Sequence, residues 1–467
     1  MAPRSFSQED SQLIDELHEL HKKSPKLVKA AEYATPALPD VTVESWKMNE
    51  FKYYEVPSPF PTLARGLFSM KEPGDASRYR IVARGYDKFF NIGEVPWTTV
   101  RFFLYLICSK CHCRFDQWSS LETHTKPPYT LTLKSNGCII FVAALSPTKL
   151  LVTSKHSIGP VQGVPESHAQ VGERWLHRHL EQAGKTTEQL AETLWTKGWT
   201  VATEVRRHDP RLTTHPPHHD LTLPQLCDDS FEEHVLPYSA DKTGLHLHGI
   251  NDCSGHFRTQ PPAVLDAFAR EWGFIPTPSL ELPSVQQVKS FTEDVGRSGK
   301  WNGEALEGFV VRTTVCASES SSDAAATPPP YADGSSFFFK VKFDEPYMMY
   351  RDWREITKAL LSRGESAKLP KSKMARPETQ VYVKWVKGEI MNHPELFDEY
   401  SKGHGIIATR ERFLRWLESG EGENDKKVES AEEAAAVTDK KFGKTIIMPI
   451  AVPGLGSLYT HFVRWLY

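Results

Sequence analysis

Lys134 stands in the stretch LTLKSNGCII, residues 131–140, where an apolar alternation stops and Cys138, Ile139 and Ile140 begin another. A lysine amine held at a strand end in a dry pocket is a nucleophile able to bond covalently to an electrophile. The same letters fit a hairpin, because Asn136-Gly137 between apolar alternations is a strong two-residue turn signal. Four further polar islands sit at strand-like positions: Arg65 in ARGLF, Lys88 and Phe90 in GYDKFFNIGE, Glu307 and Gly308 in LEGFVVRT, and Lys340 and Lys342 in FFFKVKFDEP. Taken singly, each suits a solvated strand face. Lys340 and Lys342, two apart, share one face of a strand whose other face is apolar.

Together the set fits an amine attacking the α-phosphorus of ATP. Free lysine has a pKa of about 10.4, so the attacking amine must first lose its proton; neighbouring positive charge and burial both favour that loss. Lys340 and Lys342 would supply the charge and then neutralise phosphate oxygens in the transition state, while Arg65 and Lys88 hold the leaving pyrophosphate. Glu307 would bind a divalent metal or orient the nucleophile. Mg²⁺ is implied because it takes hard oxygen ligands and bridges phosphates.

These residues need a scaffold. The chain has 467 residues, room for two or three domains and a real core. Its formal net charge of -3 gives no overall attraction to nucleic acid or anionic membrane, so a polyanion site must be a local patch. The longest apolar run, FFLYLIC, is far shorter than the roughly 20 residues of a membrane span, and MAPRSFSQED has no apolar leader segment. A soluble, non-secreted protein without a membrane span is expected. Seven cysteines without a disulfide framework fit a reducing compartment. CSKCHC gathers Cys108, Cys111, His112 and Cys113, but zinc takes a second pair from a separate turn and none follows, so this is not read as a metal site.

Residues 1–60 read as a polar helix and a proline-rich lead. From 61 to 345 short apolar runs alternate with turn signals and a few helices, which predicts an α+β domain of antiparallel sheets with helices. TTEQLAETLWTKG carries a capping box, Thr186 with Gln189, and the stop Gly198. SVQQVKSFTEDV spaces Val285, Val288, Phe291 or Thr292, and Val295 as one helix face. Between 346 and 420 three amphipathic segments, YRDWREITKALLSRG, TQVYVKWVKGEIM and TRERFLRWLESG, predict an all-helical domain. A charged, alanine-rich linker covers 421–441, and 442–467 leads to a glycine turn without the Gly-Lys-[Ser/Thr] that would hold phosphates.

The ordered stretches ARG, DKFFNIGE, LTLKSNGCIIF, LLVTSKHSIG, LCDDSFEEHVLPY, GLHLHGIND, LEGFVVR and FFFKVKFDEPYMMYRDWREIT, across roughly 60–420, resemble a known family. It is the covalent nucleotidyltransferases, specifically the ligase portion of fungal-type tRNA ligases, related to the bacteriophage RNA ligases. The resemblance implies that Lys134 carries AMP as a lysyl-adenylate and that Glu307, Lys340 and Lys342 serve the nucleotide chemistry. It further implies that Arg65 and Lys88 face the triphosphate and that Lys155 is another basic position of the nucleotide site. Phe90, Asn136, Gly137 and Gly308 belong to the same binding set, and Glu204 is expected to contact the ribose. AMP would pass to an RNA 5′-phosphate, and a 3′-OH end would displace it. The expected partners are tRNA exon halves, acted on by a monomer in the nucleus or cytoplasm, and 442–467 would open a kinase domain.

Two blocks depart from the pattern, residues 100–117 and 205–225. The second separates Glu204 from LCDD, where the family pattern places the glutamate directly before it. Both start Val-Arg and end in Gln, which GT-purine-AG and CAG codons can encode, so retained introns and genuine surface insertions are the two readings. The loop ASESSSDAAATPPPYADGSS is compositionally flexible and joins two strand islands at small entropic cost.

In YRDWREITKALL, Trp353, Ile356 and Leu360 form a packing stripe, while Arg351, Arg354 and Lys358 lie within about 60° of one another on the opposite side. An ordinary solvated helix face has this look. In a chain of this resemblance a guanidinium pair also suits the 2′-phosphate borne by the family's 3′-OH ends. The alternatives are a DNA ligase or capping enzyme of the same superfamily, each with an OB-fold after the paired-lysine strand, and, from another class, a catalytically inactive RNA-binding product.

Overall fold

The computed structural model describes residues 6–92, 118–206, 243–316, 331–343 and 349–419, apart from positions 56, 73, 135, 136, 164, 165 and 332. Asn136, the CSKCHC cluster, nearly all of the two departing blocks and everything after 419 lie outside the described residues.

Helix α1 (Gln8–Lys23) starts where the Ser7 side chain accepts the Asp10 N–H at 3.2 Å, and it buries Ile14 and Leu17. Strands β1 (Val28–Thr35), β2 (Leu38–Met48), β3 (Ala64–Glu72) and β4 (Asp75–Asp87) follow as an antiparallel sheet in chain order. The lead after the first helix is therefore half of a sheet. Its strands were hidden in the sequence because β1 is an edge strand with only its two end residues buried, which leaves no apolar alternation to read. A 3₁₀ turn, Glu50–Tyr54, joins β2 to β3, tied down by the Tyr53 hydroxyl donating to the Ala64 carbonyl at 2.8 Å.

The chain continues through β5 (Phe90–Asn91), α2 (Ser119–His124), β6 (Thr125–Leu133), β7 (Cys138–Ser146), β8 (Lys149–Ser154), α3 (His168–Gln182), α4 (Thr187–Lys197), β9 (Trp199–Arg206) and β10 (Gly244–Asp252). Then come α5 (Pro262–Trp272), β11 (Ile275–Pro276), β12 (Ser279–Leu282), α6 (Val285–Ser298), β13 (Lys300–Trp301), β14 (Glu304–Ala305), β15 (Gly308–Val315) and β16 (Ser336–Lys342). Two mixed, mainly antiparallel sheets result, ordered β11-β10-β9-β7-β8 and β12-β6-β15-β16-β5. Strands β6 and β7 belong to different sheets. β6 and β7 therefore do not form the hairpin that the letters between them allow, because each strand finds other partners: β6 pairs β15 and β12, and β7 pairs β8 and β9.

Phe68, Val82, Phe141, Ala202, Phe257 and Phe338 share one core, which draws residues from all three sheets. Phe141 sits on the first sheet because Gly66 and Gly85 offer no side chain there; a Cβ on either would stand 2.3 Å or 2.6 Å from its ring. Helix α4 begins with the expected capping box and stops at Gly198 with φ of 65°. Helix α6 buries Val285, Val288, Thr292 and Val295 and lays Phe291 against Phe309.

The described residues fall into two compact units. The first lies within Met1–Ser230, Leu236–Asp294 and Leu306–Phe343; the second lies within Phe231–Val235, Val295–Ala305 and Asp344–Tyr467. The second holds α7 (Met349–Arg363), α8 (Pro377–Asn392) and α9 (Ile406–Glu418). Trp353 stacks on Tyr382 at 4.7 Å, and Phe413 meets both rings edge-on. The Trp353 indole N–H donates to Thr379 Oγ1 at 3.2 Å, which completes an aromatic core.

Truncating Phe141 removes the side chain that fills the space above both glycines. Phe141→Ala is expected to lower stability by about 3–5 kcal/mol, read as a shift of the denaturant midpoint, and a loss below about 1 kcal/mol would refute the packing.

Candidate active site

Register brings three charges together. Leu133 of β6 pairs with Phe309 of β15, and Gly308 of β15 pairs with Lys342 of β16. Lys134, Glu307 and Lys342 therefore lie in one row across adjacent strand ends. The Lys134 N–H donates to the Gly308 carbonyl at 2.9 Å, which holds the nucleophile candidate against β15 as the chain leaves for the next sheet. The Glu307 carboxylate is 2% exposed; its Oε2 is 2.5 Å from Lys134 Nζ and its Oε1 is 3.2 Å from Lys342 Nζ. A buried carboxylate is costly unless paired, and two ammonium groups pair it here. Gly308 is required beside it: its φ is +147°, and an added Cβ would stand 2.1 Å from the Val341 carbonyl oxygen.

Lys340 lies two residues before Lys342, with its Nζ 5.9 Å from the centroid of Phe89. Phe338 continues that face into the shared core, while Phe337 and Phe339 stack on the opposite face. The paired lysines thus share a side, as the alternation predicts.

A second group of cations is organised by a residue that sequence reasoning missed. Arg65 Nη2 donates to Glu50 Oε1 at 3.1 Å, and Lys155 Nζ is ion-paired with the same oxygen. Lys155 and His156 form the turn after β8, closed by Ser154 accepting and donating toward Ser157 and fastened to β2 by the Ser45 hydroxyl on the His156 carbonyl at 2.8 Å. Burial would raise the Glu50 carboxyl, but Lys155 and Arg65 outweigh it and hold the group at about 2. Lys155 is itself pushed down, first by burial and then by the Arg65 guanidinium. His156 is pushed down to about 4 by burial and by the nearby Lys155, Lys47 and Arg65 charges. Glu50 gave no sequence signal because its partners are 15 and 105 residues away.

Lys88 is buried, its Nζ 4.7 Å from the Phe90 ring and 5.4 Å from Tyr54, and its N–H donates to the Leu63 carbonyl at 2.7 Å. Phe90 pairs with Phe339 across β5 and β16 and backs Lys88 from the interior.

Glu204 lies beside Gly137. A Cβ on Gly137 would stand 2.9 Å from Glu204 Cγ and 3.1 Å from its Oε1, so glycine lets the loop settle on this carboxylate. His248 Nε2 is 3.3 Å from Glu204 Oε2, and Arg312 donates to the His248 carbonyl while its guanidinium covers Phe338 at 4.7 Å. His248 and Arg312 went unnamed in the sequence reading. Arg312 could have been found, because it alternates with Val310 on the strand that follows Glu307. Val205 and Arg206, the start of the second departing block, complete β9 opposite Leu245 and Gly244.

Arg351, Arg354 and Lys358 lie in the second unit. Arg351 is 3.8 Å from the buried Asp352, and Arg354 pairs with Glu355 at 2.9 Å. Trp353, Ile356 and Leu360 are buried, as their spacing predicts. Among the described residues no cluster of three His, Cys, Asp or Glu side chains is arranged to hold a metal ion by itself. Among the same residues no helix is long and apolar enough to cross a membrane.

A lysine held by a buried glutamate at a strand end, two lysines on a neighbouring strand and a separate cation group lie on a mixed α/β fold of the nucleotidyltransferase class. The chain belongs to the RNA ligase family, whose model matches residues 63–103 and 112–348. That match skips residues within the first departing block and runs through the second. The chain is 40% identical to tRNA ligase 1 of Schizosaccharomyces pombe over 354 residues, 76% of this chain and 38% of that protein. It is 32% identical to the tRNA ligase of Candida albicans over 461 residues, 93% of this chain and 49% of that protein. The chain therefore spans less than half the length of either curated relative. A solved archaeal ATP-dependent RNA ligase is similar with a TM-score of 0.42 at 12% identity, over 88% of this chain and 82% of that one.

His156 is ordinarily expected near 6.5 and is held at about 4 in the folded chain. Between those values the unfolded chain binds a proton that the folded chain refuses. Its contribution to stability is thus complete above about pH 6.5 and is lost as pH falls toward 4. His156→Gln is expected to flatten the dependence of unfolding free energy on pH across that window; an unchanged slope would contradict the burial of the ring.

Proposed function

We propose that this chain is the ATP-dependent RNA ligase portion of a tRNA-splicing enzyme. The observation that carries the reading is the Glu307 carboxylate shared by Lys134 and Lys342 at adjacent strand ends. Lys134 Nζ attacks the α-phosphorus of ATP, a nitrogen–phosphorus bond forms, and the bond to the pyrophosphate oxygen breaks. Glu307 orients the amine and is the adjacent acceptor for its proton. Lys340 and Lys342 face the phosphate as negative charge builds on its oxygens. Arg65, Lys155 and Lys88 hold the departing pyrophosphate, and Glu204 lies where it can take the ribose hydroxyls. The lysyl-AMP then passes its AMP to an RNA 5′-phosphate, and a 3′-OH displaces that AMP to seal the strand.

The residues fit the phosphates: Arg65 Nε is buried with no hydrogen-bond partner among the described residues, and so are the ring nitrogens of His156, one of which carries an N–H when the ring is neutral, so donors are left for an anion. They also fit a magnesium ion carried mainly by nucleotide and water, with Glu307 the buried carboxylate nearest the amine. When bound, Mg²⁺ supplies positive charge at the phosphate oxygens.

Helices α7–α9 follow the paired-lysine strand, where a DNA ligase or capping enzyme carries an OB-fold. The relatives named tRNA ligase support tRNA as the substrate, which this reading takes to be exon halves. On this reading Arg351, Arg354 and Lys358 grip the 2′-phosphate of the 3′-OH end. A charge-assisted hydrogen bond is worth roughly 1.5–3 kcal/mol, so Arg351→Ala or Arg354→Ala should slow joining of 2′-phosphate ends about 10- to 100-fold. Labelling by [α-³²P]ATP should stay within about twofold of the unaltered chain. Equal loss of labelling and joining would remove the 2′-phosphate role.

A further inference from the structure

Glu50 takes no part in the chemistry set out above, yet it occupies the place where the phosphate-facing cations meet. Arg65 comes from β3 of the first sheet and Lys155 from the turn after β8 of the second, and both rest on one oxygen, Glu50 Oε1. The Glu50 side chain is 46% exposed and stands on a short 3₁₀ turn whose start is capped by Asn49 accepting the Phe51 N–H. Rotation of one side chain is enough to withdraw it. Its partners, by contrast, are fastened: Arg65 is in a strand, and the Lys155 turn is held by Ser45, Ser154 and Ser157. Arg65 Nε and the His156 ring keep buried, unpartnered nitrogens beside it, so the carboxylate satisfies only part of what the subsite offers. A polyphosphate has more acceptor oxygens and more charge, and can satisfy the rest.

We propose that the Glu50 carboxylate is the resident anion of the phosphate subsite, displaced when the nucleotide's β- and γ-phosphates arrive and returning to Arg65 and Lys155 as pyrophosphate leaves. The inference rests on the reading that Arg65 and Lys155 face those phosphates. Its consequence is that Glu50 weakens binding of both ATP and pyrophosphate. In the empty state it neutralises two cations that would otherwise repel; after self-adenylylation it competes with the leaving group and favours release. If the carboxylate did not move away, its charge would still oppose a bound polyphosphate, so the sign of the effect is the same by either route.

The test uses the nucleotide-free full chain titrated with inorganic tripolyphosphate in a calorimeter. Glu50→Gln and Glu50→Ala should each bind roughly 3- to 10-fold more tightly than the unaltered chain. In parallel, pyrophosphate should inhibit self-adenylylation of these variants at correspondingly lower concentration. Unchanged or weaker tripolyphosphate binding, or loss of the native fold in both variants, would overturn the proposal. Lys155→Ala and Arg65→Ala separate the two levels. If they weaken binding while the Glu50 variants leave it unchanged, only the role of Glu50 fails; if they too leave it unchanged, or the unaltered chain does not bind tripolyphosphate, the phosphate subsite itself is misassigned.

Discussion

One buried carboxylate between two amines governs the first unit. Glu307 is almost wholly buried, and Lys134 and Lys342 both reach its carboxylate and offset the cost of burying it. Removing either partner leaves charge uncompensated in a nearly dry position. The arrangement therefore holds the Lys134 amine at a definite point, and on the proposed reading that is the preorganisation phosphoryl chemistry rewards.

Everything around that pair serves to keep its geometry. The β6–β15–β16 register sets the row of charges, and Gly308 allows Glu307 to turn inward where a side chain would strike the next strand. Gly137 likewise lets the chain lie close to Glu204 of the neighbouring sheet. Phe141 and Phe338 fill the common core behind the site, so strand ends in different sheets are fixed relative to one another. Charges sit at the rim and aromatic rings beneath, and the rings add cation–π contacts to the buried cations; Lys88 over Phe90 is the clearest case.

Much of this was legible in the letters, for physical reasons that differ from residue to residue. Lys340 and Lys342 could be placed on one face because a strand repeats every second residue. The ends of α4 were readable from Thr186, Gln189 and Gly198, since capping is local, and Trp353, Ile356 and Leu360 followed from helical spacing. What escaped was non-local or neutralised. Asn136-Gly137 carries the letters of a hairpin, but which sheet each flanking strand joins depends on residues far along the chain. Strand β1 buries only its two end residues and shows no period. Glu50 and His248 acquire their meaning only from partners on other strands.

The central claim is that Lys134 is the amine that becomes bonded to phosphorus, held for that task by Glu307. Peptide mapping by mass spectrometry after the nucleotide-free chain has been exposed to ATP and magnesium addresses it most directly. The account requires a single adenylyl group on the peptide containing Lys134, absent when Glu307 is replaced by alanine; an adenylyl group on any other residue, or none on a properly folded chain, would contradict it.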